Sequence, residues 1–377
     1  MSVDPERDLV FVPTGNAAND YYRGERADVN HFGSSVVALR GSTGEVVWHF
    51  ATVHRDLWDY DVPAQPTLTS VRRDGRVVPS LVQATKMGLL FVLDRETGEP
   101  LFPVEERPVP QAGAPGEQLS PTQPFPRKPP PLVPHRLAPE NVWGISVWDR
   151  NACRELVAGL RNEGIYTPPS VAGSLMYPGN AGGSNWGGVA VHPERQIVVA
   201  NLIDVPFGVR LVPRAQFEAT RAAHPGDEFA PARGTPYGLH RFRVLSPLGL
   251  PCNPPPWGTL AAVDLGSGEI LWQVPFGTVR DLAPLPLPLR LGVPSLGGPV
   301  VTSSGLIFIA ASLDDYLRAF DLETGRELWR ARLPAGGQAT PMLYRIGDRP
   351  YVVIAAGGHA RMGSRLGDAL IAFSLPR

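Results

Sequence analysis

The sequence predicts an all-β fold, a β-propeller, from three observations: a turn-centred motif that recurs along the chain, an apolar strand that precedes its copies, and heavy use of glycine and proline. The motif occurs as VVALRGSTGEVVW (36–48), FVLDRETGEPLF (91–102), AAVDLGSGEILW (261–272) and RAFDLETGRELW (318–329). Each copy reads as a strand, a turn closed by Thr-Gly or Ser-Gly, and a second strand ending in Trp or Phe. Gly44, Gly98, Gly268 and Gly325 supply the turn residue that tolerates positive φ, and the flanking residues alternate as half-buried strands do.

The preceding strands are LVFVPTGN (9–16), SLVQATKMG (80–88), IVVANL (197–202) and LIFIAAS (306–312), with a fifth at YVVIAAGG (351–358). Apolar strands that end in small residues suit the crowded inner positions of a propeller. The expectation is about five four-stranded blades, with Trp48, Trp272 and Trp329 packed between neighbours. The 40 glycines and 42 prolines favour many short strands over long helices.

Two stretches interrupt the repeat. Residues 103–180 begin Pro-rich and include VWDRNACRELVAGLRNEGI (147–165), whose apolar spacing allows a short helix or an irregular covering segment. A second insertion runs from about 207 to 256. The chain therefore reads as one partial propeller domain, 1–377, with two insertions that suit the covering of a site on one face.

Composition excludes several classes. Hydrophobic residues at 43% and charged residues at 19% describe a folded protein with a core. The net charge of −1 offers no basic surplus for nucleic acid. Cys153 and Cys252 permit at most one disulfide and lack zinc-site spacing. No signal peptide and no run of eighteen apolar residues is visible.

The densest polar cluster is TVHRDLWDYDVP (52–63), with Asp56, Asp59 and Asp61 around Trp58. Such carboxylates ligate a hard cation, accept a proton, or simply cap a solvated turn. Asn16 and Asn201 end inner strands, where a propeller's ligands bind. Lys86 lies inside another, where it needs an anionic partner or an exit to water.

The motifs VHRDLWDYDVPAQPTL, GIYTPPS with the following PGN and NWGG, LSPLGLPC with PPWG, and LPAGGQATPMLY with VVIAAGGH resemble the membrane-bound glucose dehydrogenases that depend on pyrroloquinoline quinone (PQQ), a quinoprotein family whose members also oxidise quinate, shikimate and polyols. The resemblance spans nearly the whole chain. It implies an eight-bladed propeller, here incomplete, with PQQ on the axis beside Ca²⁺ or Mg²⁺. Asp59 then corresponds to the general base and a metal contact, Asn16 to a metal ligand, and Lys86 to the cation on the quinone oxygens. Asn201, Gly358 and His359 correspond to cofactor contacts.

The resemblance further implies a sugar or polyol substrate, ubiquinone as electron acceptor, and the periplasmic face of the inner membrane. The family's members carry membrane helices and further blades ahead of the segment seen here. The expected setting is therefore a longer or split enzyme, with another segment or chain supplying those blades and the anchor. A truncated propeller used as a scaffold or binding module is the alternative.

Overall fold

The computed structural model describes residues 1–24, 32–73, 75–282 and 289–375. Every named strand pairing in it is antiparallel, which excludes βαβ architecture. The first sheet holds Ser2–Asp4, Leu9–Pro13, Ser35–Arg40 and Val46–Ala51; the second holds Thr67–Arg73, Arg76–Ala84 and Leu90–Asp94. The third holds Val189–His192, Ile197–Ile203, Gly258–Asp264 and Ile270–Pro275. The fourth holds Val300–Val301, Leu306–Ile309, Tyr316–Asp321 and Glu327–Arg332; the fifth holds Met342–Ile346, Arg349–Ala356 and Ala369–Ser374.

The repeated motif links these sheets in succession. The turn glycine of one sheet is the platform for the aromatic ring of the sheet before it. A Cβ on Gly98 would lie 2.6 Å from the Trp48 ring, and one on Gly325 would lie 2.6 Å from Trp272. Phe102 packs against Gly268 in the same way. The Trp48 indole N–H donates to Arg95 O (3.0 Å), and that of Trp272 to Leu322 O (2.9 Å). These glycines are thus fixed twice, by positive φ and by the neighbouring ring. Burying an indole removes on the order of 150–250 Å² from water, about 4–6 kcal/mol for Trp48, which is 9% exposed, and less for the partly buried Trp272. Trp329 meets Phe373 edge-on at 5.3 Å and stays 40% exposed, because the fifth sheet carries no such glycine turn.

The expectation of four strands in each repeat unit holds for three of these sheets and fails for two. In the second sheet the motif reads GEPLF where the others read GEVVW, GEILW and GRELW. Pro100 cannot donate a ladder hydrogen bond, and a lone bridge, Leu93 to Pro100, replaces the outer strand. The fifth sheet has three strands among the described residues.

The insertions carry structure of their own. Residues 204–257 leave and rejoin the third sheet between two strands that are hydrogen-bonded neighbours, Ile197–Ile203 and Gly258–Asp264. Within that excursion, Phe207–Pro213, Tyr237–Arg243 and Glu228–Ala230 form a further sheet with Ser174–Met176. In the first insertion Val104–Pro108 pairs with Thr122–Pro126. The helix α1 (Val147–Ala158) starts at Ser146, whose hydroxyl accepts the Asp149 N–H. Cys153 of α1 forms a disulfide with Cys252, with Cα atoms 5.4 Å apart, so the two insertions are tied together. Val209, Leu211 and Leu239 of the inserted sheet belong to the same hydrophobic core as Trp58, Tyr60 and Tyr166, so the insertion and the 52–63 loop share one core.

Candidate active site

The loop that follows the first sheet is organised around Asp56. Its fully buried carboxylate accepts the Ser34 hydroxyl (2.8 Å) and the backbone N–H groups of Trp58 (2.9 Å) and Tyr60 (3.2 Å). An Asx-type turn results. Burial nonetheless pushes its pKa up to about 6. Trp58 and Tyr60 drop into the core, where the Trp58 indole donates to Thr167 O (2.8 Å). Asp59, between them, sits at φ +57°, a left-handed conformation that Asp tolerates.

Lys86 arrives from the turn between Arg76–Ala84 and Leu90–Asp94. Its Nζ donates to Asp59 Oδ1 (3.0 Å) and Asp59 O (2.8 Å), and it forms an ion pair with Asp61. Glycine makes that approach possible. A Cβ on Gly182, at φ +84°, would lie 2.6 Å from Lys86 Cα, so the 179–184 segment lies flat on the lysine turn. Burial acts to lower the Lys86 ammonium, but Asp59 and Asp61 outweigh it and hold the group above the ordinary lysine range. Burial pushes the Asp61 carboxyl up, against the pull of Lys86.

The second oxygen of Asp59 faces two more donors. Asn180 Nδ2 donates to Oδ2 (3.2 Å), and Arg241 Nη1 stands 3.8 Å from it. Arg241 also binds Glu228 and the Tyr21 hydroxyl. Asp20 lies close enough that burial first, then the charges of Asp59 and Asp61, raise its pKa. Three carboxylates therefore face two cations. The Asp59 carboxylate is a quarter exposed, with donors on both oxygens. Such an arrangement fixes the orientation of a carboxylate that still has access to solvent.

Sequence reasoning named Asp59 and Lys86, and the structure brings these two into contact. Asn16 lies beside the same loop: its Nδ2 donates to Asp56 O (3.2 Å), and its buried Oδ1 has no hydrogen-bond partner. Asn201 bonds Ser295 Oγ (2.9 Å) instead, two residues from Ile203, whose N–H reaches Gly183 O (2.7 Å) behind the lysine turn. Gly358 and His359 lie beyond the fifth sheet's strand Arg349–Ala356, and His359 N–H donates to Ser364 Oγ (2.7 Å). Among the described residues none of these three bonds the Asp59 cluster. Asn180, Arg241 and Asp20 were missed. Asn180 stood in the noticed PGN motif, whereas nothing local marks Arg241. A cleft of about 860 Å³ lined by Arg72, Arg107, Arg127 and Lys128 lies elsewhere, between the second and third sheets.

An antiparallel propeller whose insertion shares a core with a loop of paired carboxylates and lysine defines a class that comparison with known proteins makes specific. The family of PQQ glucose/ethanol/alcohol dehydrogenase β-propeller domains matches residues 1–352, and the chain belongs to that family. It is 45% identical to quinoprotein glucose dehydrogenase A of Acinetobacter calcoaceticus, over all of this chain and 48% of that protein. It is 43% identical to the probable quinate dehydrogenase (quinone) of Xanthomonas campestris pv. juglandis, over all of this chain and 49% of that protein. The chain thus spans about half the length of these relatives. A europium-containing methanol dehydrogenase superposes with a TM-score of 0.62 at 21% identity, over 95% of this chain and 50% of its own, a likeness of fold.

Membership implies PQQ, and the donor set fits a quinone with a cation. Asn16 Oδ1 is a buried amide oxygen without a partner, and the Asp59 and Asp61 carboxylates add oxygens of the kind hard divalent cations take.

Proposed function

We propose that this chain carries the proton-accepting half of a PQQ-dependent dehydrogenase that oxidises a sugar or polyol alcohol. The observation that carries the reading is the contact of Lys86 with both Asp59 and Asp61, a buried cation set against two carboxylates that are each about a quarter exposed. PQQ, when bound, supplies the two-electron acceptor, and a divalent cation beside it supplies Lewis acidity. The chain's own residues do the rest. Asp59 takes the hydroxyl proton, with Lys86 and Asn180 fixing its two oxygens. Asn16 and Asp59 offer oxygens to Ca²⁺ or Mg²⁺, and Lys86 offers positive charge to the quinone oxygens. Asn201, Gly358 and His359 border the cofactor from the third and fifth sheets.

The partners follow from the same reading. Electrons pass to ubiquinone at the periplasmic face of the inner membrane, a setting that the Cys153–Cys252 disulfide suits. Among the described residues no helix is long and apolar enough to cross a membrane. Further blades cover the end sheets, where Val3, Val46 and Val47 on the first and Met342, Ile346 and Leu370 on the fifth are exposed. The test is reconstitution of the full-length protein with PQQ and Ca²⁺. Dehydrogenase activity on glucose, quinate or glycerol with a ubiquinone analogue supports the reading. A stable, cofactor-binding protein with no such activity on any of them favours a scaffold.

A further inference from the structure

Away from the Asp59 cluster, the inserted sheet carries a second set of metal-competent side chains. The helix α2 (Phe217–Ala223) ends at His224, and the turn after it brings Asp227 to the start of the strand Glu228–Ala230. His240 comes from the neighbouring strand Tyr237–Arg243, opposite Phe229. One ligand atom from each of His224, Asp227 and His240 lies within 4.8 Å of the other two. His240 Nε2 is 2.8 Å from Asp227 Oδ2, and His224 Nδ1 is 3.9 Å from the same oxygen.

We propose that His224, Asp227 and His240 bind one borderline divalent ion of the Zn²⁺ class. Two imidazole nitrogens and one carboxylate oxygen are the donors such ions prefer, whereas Ca²⁺ and Mg²⁺ demand oxygen. The distances suit it. Ligand atoms about 2.0–2.1 Å from a tetrahedral ion are roughly 3.3 Å apart. The Asp227–His240 contact must open by about half an ångström, and the Asp227–His224 gap must close by about as much. His224 and Asp227 sit on an exposed turn that can make this adjustment. His240 is the fixed point: it is 2% exposed and stacked on Phe229 with ring centroids 4.4 Å apart.

Successive residues of a strand point to opposite faces. His240 therefore holds the ion on one face while Arg241 reaches Asp59 on the other. Glu228, the residue after Asp227, is the ion-pair partner of Arg241, so the same short segment serves both the ion and Arg241. The ion fastens the hairpin that presents Arg241 to the candidate active site.

The test is Zn²⁺ titration of the chelator-treated protein by calorimetry, with Co²⁺ absorption as the spectroscopic probe of nitrogen ligation. The expected result is one ion per chain, bound at least about tenfold more weakly by His224→Ala and by Asp227→Asn. Asp59→Asn leaves that affinity unchanged, which separates this site from the cation beside Asp59. His224 is exposed, so its replacement leaves the fold intact. Absence of Zn²⁺ binding overturns the proposal. So does binding that ignores His224→Ala and Asp227→Asn, or binding that Asp59→Asn abolishes.

Discussion

Replacing Lys86 with methionine removes the charge and keeps most of the volume. Lys86 is 7% exposed, and its ammonium is held by two carboxylates at direct contact. Breaking a buried pair by deleting one partner costs about 3–5 kcal/mol. The Asp59 and Asp61 side chains remain 25% and 22% exposed, so water screens what is left and the lower end applies, about 3 kcal/mol at neutral pH. With an unfolding entropy of about 2.1 cal/mol/K per residue, that lowers Tm by roughly 4 °C. The loss also depends on pH. Without Lys86, Asp59 and Asp61 repel each other, and Asp61, already raised by burial, takes up a proton more readily as the pH falls. The deficit should therefore shrink from pH 8 to pH 5. Thermal unfolding of wild type and Lys86→Met at both pH values measures it. An unchanged Tm, or a deficit that is the same at both, refutes the assigned charge pairing.

Asp56 makes the opposite contribution. Its folded pKa of about 6 lies above the ordinary 3.8, so the stability it provides is present below pH 4 and is lost as the pH rises through 6, by about 3 kcal/mol. In Asp56→Asn the side-chain oxygen still accepts the Trp58 and Tyr60 N–H groups, so the variant should gain on wild type by about 2–3 kcal/mol between pH 4.5 and 7.5 in denaturant unfolding; a constant difference contradicts this. Gly182→Ala places a methyl 2.6 Å from Lys86 Cα at φ +84°. It should destabilise by more than about 1 kcal/mol and weaken PQQ retention, measured by cofactor absorbance after gel filtration, whereas unchanged retention means the segment does not position Lys86.

The repeat was legible because it is local: turn, glycine and aromatic lie within thirteen residues, and the four copies order the first four sheets, while the fifth showed only as its apolar strand. The missing outer strand of the second sheet was not read from the repeat, which counted FVLDRETGEPLF as a full copy; its cause is Pro100, since proline cannot pair there. The sheet inside 207–256 was not legible either, because it follows no repeat and draws its edge strand from residues 174–176. At the site, the 52–63 cluster stood out by charge density, but Asp59 could be told from Asp56 only by family resemblance. Burial separates them physically: Asp56 folds the loop and Asp59 faces out of it. Asn180 and Arg241 reach Asp59 across separations of 121 and 182 positions, and no local pattern reports such contacts.

In the proposed reaction Asp59 accepts the substrate proton. Steady-state turnover of full-length wild type and Asp59→Asn, each loaded with PQQ and Ca²⁺ and shown to retain both, tests it most directly. Asparagine keeps the shape and the bond to Lys86 but accepts no proton, so kcat should fall by about 10²–10⁴ with the fold and cofactor content unchanged. An Asp59→Asn enzyme that turns over at near wild-type rate, with PQQ and metal bound, contradicts that role.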